Sequence, residues 1–136
     1  MSIIFSRQCE YALQAVVYLA LRGDGEKTSI RDLTKRLDIP YHFLAKILQD
    51  LVKTGLIKSV RGTGGGFVLA RQPEQITLRE IVEAIEGPIM PNTCLMGEGV
   101  CSFQKTCTVH PVWRRLQSVT RGILEEVTLK TLTAGG

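Results

Sequence analysis

The sequence predicts a mainly α-helical fold with one small β-hairpin, a winged helix-turn-helix followed by a long C-terminal helix. Three observations predict it. Apolar residues recur at intervals of three and four over most of the chain. Two such helical segments are joined by the short break Asp38-Ile39-Pro40. Just after them, two strand-like runs flank the glycine-rich stretch Arg61-Gly62-Thr63-Gly64-Gly65-Gly66, which reads as a hairpin tip.

The elements follow in order. From Phe5 to Arg22, the positions Phe5, Cys9, Ala12, Leu13, Val16, Val17 and Ala20 mark one face of a helix that Gly23 and Gly25 end. Cys9 lies on that stripe and reads as a small buried apolar residue. Ser29, with Asp32 three residues on, caps a second helix running to about Leu37, with Ile30, Leu33 and Leu37 inward. Pro40 suits the first turn of a third helix, Tyr41 to Thr54, stopped by Gly55. The buried face of that helix reads Phe43, Leu44, Ile47, Leu48 and Leu51, and its opposite face Tyr41, His42, Ala45, Lys46 and Gln49.

Leu56–Val60 and Phe67–Ala70 form the hairpin, a wing whose glycines let backbone approach another surface. A phosphate-binding nucleotide loop is excluded there, because no Lys-Ser/Thr ending and no helix follow. Thr77-Leu78-Arg79-Glu80 opens a short helix with Leu78, Ile81, Val82 and Ile85 inward, ended by Gly87-Pro88. After His110, the stripe Val112, Leu116, Val119, Ile123 and Val127 predicts a helix to about Leu132. It follows a complete small domain, so its apolar stripe is a candidate homodimer seam, with packing against the first helix as the intramolecular alternative. Trp113 reads as an anchor in that packing. The organisation is thus a DNA-binding domain over 1–87, a cysteine-rich segment over 88–110, and a dimerisation helix with its tail over 111–136.

With 136 residues and 44% hydrophobic content, the chain suffices for one domain with a core of its own. The charge is uneven. Residues 1–71 hold 11 Lys and Arg against 6 Asp and Glu, a net +5, and residues 72–136 hold 6 against 7, a net −1. The basic first half points to a polyanion partner. The longest apolar run, Ala12 to Leu21, is too short to span a membrane, and no signal peptide is evident, which places the protein in the cytoplasm.

In a reducing compartment, clustered cysteines favour metal binding or redox chemistry over structural disulfides. Cys94, Cys101, Cys107 and His110 stand at spacing C-x6-C-x5-C-x2-H, in a segment whose Gly97 and Gly99 disfavour regular structure. Soft and borderline ligands this close together suit iron–sulfur or zinc. Enzymatic function is excluded: neither His42 nor His110 has an evident nucleophile and orienting acid, and no cofactor motif is present.

The run SIRDLTKRLDIPYHFLAKILQDLVKTGLIKSVRGTGGGFVLARQPEQITLREIVEAIEG, with the EYAL helix before it and the cysteine segment and last helix after it, resembles the winged-helix regulators of the IscR/NsrR/CymR type. The resemblance covers nearly the whole chain. It implies a dimeric transcription factor of the iron–sulfur branch, whose oxygen-labile cluster reports on redox conditions, nitric oxide or iron–sulfur status. It implies 2Fe–2S ahead of 4Fe–4S and ligation by Cys94, Cys101 and Cys107. His110 matches the fourth ligand of IscR-like members, while Glu10 matches the acidic residue that a partner subunit's first helix supplies in NsrR-like members. The gap between the first two cysteines is one residue longer than in the IscR pattern, which leaves the fourth ligand open between these two. Ala45 stands where IscR has a glutamate.

The expected partner is double-stranded DNA, a pseudo-palindromic operator whose half-sites lie about 34 Å or a multiple apart. Tyr41, His42, Lys46 and Gln49 are expected at base edges, Ser29, the second helix's N-terminus and nearby lysines at phosphates, and Arg61 in a minor groove, with Thr63 beside it on the wing. Two alternatives use the same ligands: structural zinc, or a metal-free thiol–disulfide switch.

Overall fold

A computed structural model describes residues 5–23, 25–90, 95 and 108–134. The elements are α1 (Arg7–Arg22), α2 (Ile30–Leu37), α3 (Tyr41–Lys53), β1 (Ile57–Val60), β2 (Gly66–Leu69), a 3-10 turn (Pro73–Gln75), α4 (Leu78–Glu86), α5 (His110–Glu126) and α6 (Leu129–Ala134). Mainly helical with one antiparallel hairpin, this is the fold class expected from the sequence.

Helix α1 is the centre, packed against α2, α3, α4, α6 and β2. Its small residues Ala12 and Ala15 are wholly buried and let neighbouring helices come close. Ala12, Ala15, Val16 and Leu19 meet Leu33 of α2 and Leu44, Ile47, Leu48 and Leu51 of α3 in the main core. Helix α1 starts two residues later than the apolar pattern indicated, because Ser6 caps it: its Oγ accepts from the Cys9 N–H. Ser29 and Thr77 cap α2 and α4 as expected, each accepting a backbone N–H at 3.1 Å. Asp38 adopts a left-handed conformation (φ 54°) that ends α2, and Pro40 sits at the N-cap of α3, one place before its first turn.

The wing is joined to the helical pair by main chain. Thr28 exchanges two hydrogen bonds with Phe67, N–H to O at 3.1 Å and O from N–H at 2.9 Å, so the residue just before the α2 cap pairs with β2. This close pairing requires glycine. A Cβ on Gly66 would lie 2.5 Å from the Thr28 carbonyl oxygen and 2.8 Å from the Ser29 nitrogen.

Two expectations from periodicity do not hold. Phe43 is 40% exposed rather than core, because its position lies on the flank of α3 between the buried and open faces. The last helix is not continuous to Leu132. It stops at Glu126, where Val127 turns extended (φ −97°, ψ 125°) and accepts from the Leu78 N–H at 2.8 Å. The β-branched pair Val127-Thr128 favours that extended link, and Thr128 then caps α6 by accepting from the Thr131 N–H. Leu129 of α6 is buried in the main core, so Val127 leaves the stripe and the chain end folds back onto α1.

Helix α5 is anchored to the domain by a smaller cluster, in which Leu124 packs with Cys9, Val82 and Ile89. Arg79 of α4 adds ion pairs to Glu83 and to Glu125 of α5, at 3.2 and 3.1 Å. Gln117 of α5 also donates from Nε2 to the Ile89 carbonyl at 2.8 Å. Val112, Leu116, Val119 and Ile123 are 46–58% exposed along one side. No helix among the described residues is long and apolar enough to cross a membrane.

Candidate nucleic-acid interface and cysteine segment

Helix α3 buries Leu44, Ile47, Leu48 and Leu51 and turns the other side outward. Tyr41, His42, Lys46 and Gln49 are all exposed, as the sequence reading placed them, while Ala45 is half-buried among them. The Lys46 ammonium lies 2.9 Å from Asp50 one turn on, an exposed pair that leaves it free to exchange partners. Ser29 is half-buried at the N-cap of α2; its oxygen accepts from Asp32 N–H, which leaves its O–H to donate outward.

Arg61 and Thr63 are exposed at the wing, where Gly62 and Gly64 take positive φ (105° and 72°) and turn the chain. Arg31, Lys35 and Arg36 on α2 and Lys58 on β1 are exposed too. Sequence reading expected lysines near Ser29 at phosphates without naming them and did not assign Arg31 or Arg36, although the basic excess of the first half already contained all four. Phe43 was also missed as a surface residue. Its ring lies 4.5 Å from that of His42 and 6.5 Å from that of Tyr11 on α1.

Of the expected ligands, Cys94, Cys101 and Cys107 lie outside the described residues. His110 is described. It is the first residue of α5, and its Nδ1 is buried with no hydrogen-bond partner among the described residues. A buried ring nitrogen without a partner is costly, and a metal ligand position directly after the cysteine segment fits it. Glu10 lies on the exposed side of α1, 3.7 Å from Arg7, so it too can be reached from outside the chain. No group of three or more metal-ligating side chains occurs among the described residues.

Cys9 stands apart from these. It is fully buried, and burial first, then Glu86 and Glu10, raise its thiol pKa to about 11. Thiol reagent at pH 8, read by peptide mapping, is expected to leave Cys9 unmodified in native protein and to modify it after unfolding. Labelling at the same rate in both states would contradict its buried place. Because the unfolded chain releases this proton near pH 9 and the folded chain near 11, the contribution of Cys9 to stability is complete below 9 and is lost as pH rises through that window.

A helix-turn-helix with an outward-facing second helix and a glycine-turned basic wing defines a DNA-binding transcriptional regulator. The chain belongs to the Rrf2 family, whose model, described as an iron-dependent transcriptional regulator, matches residues 5–135. It is 32% identical over 122 residues to the HTH-type transcriptional regulator IscR of Cronobacter sakazakii, covering 90% of this chain and 75% of that one. Among solved structures it is similar to CymR, the global cysteine regulator of B. subtilis, at TM-score 0.80 and 27% identity over 99% of both chains. The T. potens IscR structure matches with TM-score 0.76 and 27% identity, covering 99% of this chain and 89% of that one. These relatives are regulators, not enzymes, in agreement with the absence of catalytic motifs from the sequence.

Proposed function

We propose that the protein is a homodimeric regulator whose reading of a pseudo-palindromic operator is controlled by an iron–sulfur cluster on Cys94, Cys101 and Cys107. The observation that carries the cluster is the buried Nδ1 of His110, which has no hydrogen-bond partner among the described residues and stands where the cysteine segment meets α5. His110 is therefore the fourth ligand we favour over Glu10 of the partner subunit, whose carboxylate is well solvated and already has Arg7 beside it. When bound, the cluster supplies a redox- and oxygen-sensitive cross-link. The chain's own part is to convert that cross-link into position. The segment leaves α4 through Ile89, whose side chain packs on Cys9 and Leu124 and whose carbonyl accepts from Gln117 Nε2 at 2.8 Å, and it re-enters at α5. Ordering the segment thereby sets how α5 sits on the DNA-binding domain, and with it the separation of two recognition helices in the dimer.

Each recognition helix is assigned to a major groove, with Tyr41, His42, Lys46 and Gln49 toward base edges, Ser29 and the α2 N-terminus at phosphates, and Arg61 and Thr63 on the wing at a minor groove. The direct test is the iron, acid-labile sulfide and zinc content of protein purified without oxygen, with Cys101→Ala beside it. Iron and sulfide in equal amounts, with a visible absorption that Cys101→Ala abolishes, are expected. Zinc without sulfide would instead establish a structural zinc site, and neither metal would leave a thiol switch.

A further inference from the structure

The outward side of α3 runs His42, Lys46, Gln49 and Lys53, spaced four, three and four residues apart and all exposed. One acidic side chain lies beside that row. Asp50 is the only acid in the helix sequence YHFLAKILQDLVK, and its carboxylate takes the Lys46 ammonium at 2.9 Å. The carboxylate is the more covered of the two, 26% exposed against 60% for the lysine side chain, and Lys46 is its one partner among the described residues. Helix stability does not account for the pair. A carboxylate in the last turn sits at the negative end of the helix dipole, and lysine four residues before an acid is the weaker order of such pairs. On a surface that meets a polyanion, the same carboxylate also repels phosphate.

We infer that Asp50 is a specificity-determining residue of the DNA-reading face: as a built-in counterion it keeps Lys46 from phosphates and holds it for a base-edge acceptor. The inference rests on α3 lying in the major groove with Lys46 toward base edges. An ammonium has three N–H donors, so Lys46 can donate to guanine O6 or N7 while one donor stays on Asp50. A phosphate is different. Reaching it either breaks the bond to Asp50 or brings the carboxylate against the phosphate. A lysine whose charge is already matched by Asp50 also neutralises no phosphate, so it releases no condensed cation from the duplex, the term that drives binding to unrelated DNA. Asp50 therefore weakens binding to DNA at large more than binding to the matching site.

The test compares the full-length protein with its Asp50→Asn variant across salt concentrations, on a duplex that the protein retains from a random-sequence pool and on a scrambled duplex of the same composition. Asp50→Asn is expected to tighten binding to the scrambled duplex about threefold, the size of an exposed ion pair's effect. It should also steepen the salt dependence on that duplex by about 0.9 in the slope of log affinity against log salt. The ratio of selected to scrambled affinity should fall about threefold or more. All three changes should vanish when Lys46→Ala is also present. Circular dichroism checks the fold, and Asp50→Ala takes the place of Asp50→Asn should that variant fail to fold. An unchanged slope and ratio, or changes that persist beside Lys46→Ala, overturn the inference and leave DNA binding intact. If Lys46→Ala alone binds both duplexes as the parent does, Lys46 is not on the reading face, and the inference falls with that assignment. Failure to retain any duplex overturns the DNA-binding role itself, and the inference with it.

Discussion

In the proposed dimer, replacing Leu116 and Ile123 together by glutamate is expected to leave a folded monomer and to weaken operator binding by on the order of a hundredfold or more. Both side chains lie on the open side of α5, 46% and 58% exposed, in line with Val112 and Val119. Positions 112, 116, 119 and 123 repeat at the alternating four- and three-residue spacing of a two-helix seam. Full burial of an exposed side chain of this kind stabilises by about 1.5–3 kcal/mol, and these are already about half covered, so each adds roughly half of that and four from each subunit still make a seam. Neither residue belongs to the buried clusters of the domain, so the fold of the monomer should survive. Light scattering gives the mass and far-ultraviolet circular dichroism gives the fold. A variant that stays dimeric with unchanged DNA affinity would remove α5 as the seam.

Gly66→Ala is expected to cost about 3 kcal/mol of stability and most of the DNA affinity. The added methyl would meet the Thr28 carbonyl carbon and oxygen at 2.6 and 2.5 Å, main-chain atoms that cannot turn aside. Relief requires the wing to part from Thr28, which disturbs the Ser29 cap of α2 next to it. Gly64→Ala is the control: φ is 72° there but nothing lies within 4 Å, so only the backbone strain of about 1 kcal/mol is expected. Urea unfolding of the two variants measures the difference, and equal losses would contradict the close approach.

Much of this fold was legible in the sequence because its signals are local. Ser29 and Thr77 cap helices through bonds three residues long, and the Asp38-Ile39-Pro40 break needs only its own backbone. The misreadings arise where distant contacts decide. Val127 fits the apolar repeat of α5, yet its carbonyl is taken by Leu78 from 49 positions earlier in the chain, and α6 is drawn back by the buried Leu129. Phe43 is apolar and next to a buried leucine, yet its place on the flank of α3, beside Tyr11 of α1, leaves its ring partly open. The residues proposed for DNA contact, Tyr41, His42, Lys46, Gln49, Arg61 and Thr63, could be placed outward from the helix period and the turn alone, and all are exposed. The buried Nδ1 of His110, without a partner among the described residues, could not, since burial of one ring atom depends on how α5 meets the rest of the domain.

The proposed control of DNA reading by the cysteine segment is tested most directly by the affinity of one anaerobic preparation for its selected duplex, measured before and after treatment with an iron chelator. The two states should differ by at least about tenfold, a differential binding of about 1.4 kcal/mol, and Cys101→Ala should match the stripped protein. Equal affinities in the two states, in a protein shown to carry iron and sulfide at the start, would contradict that control.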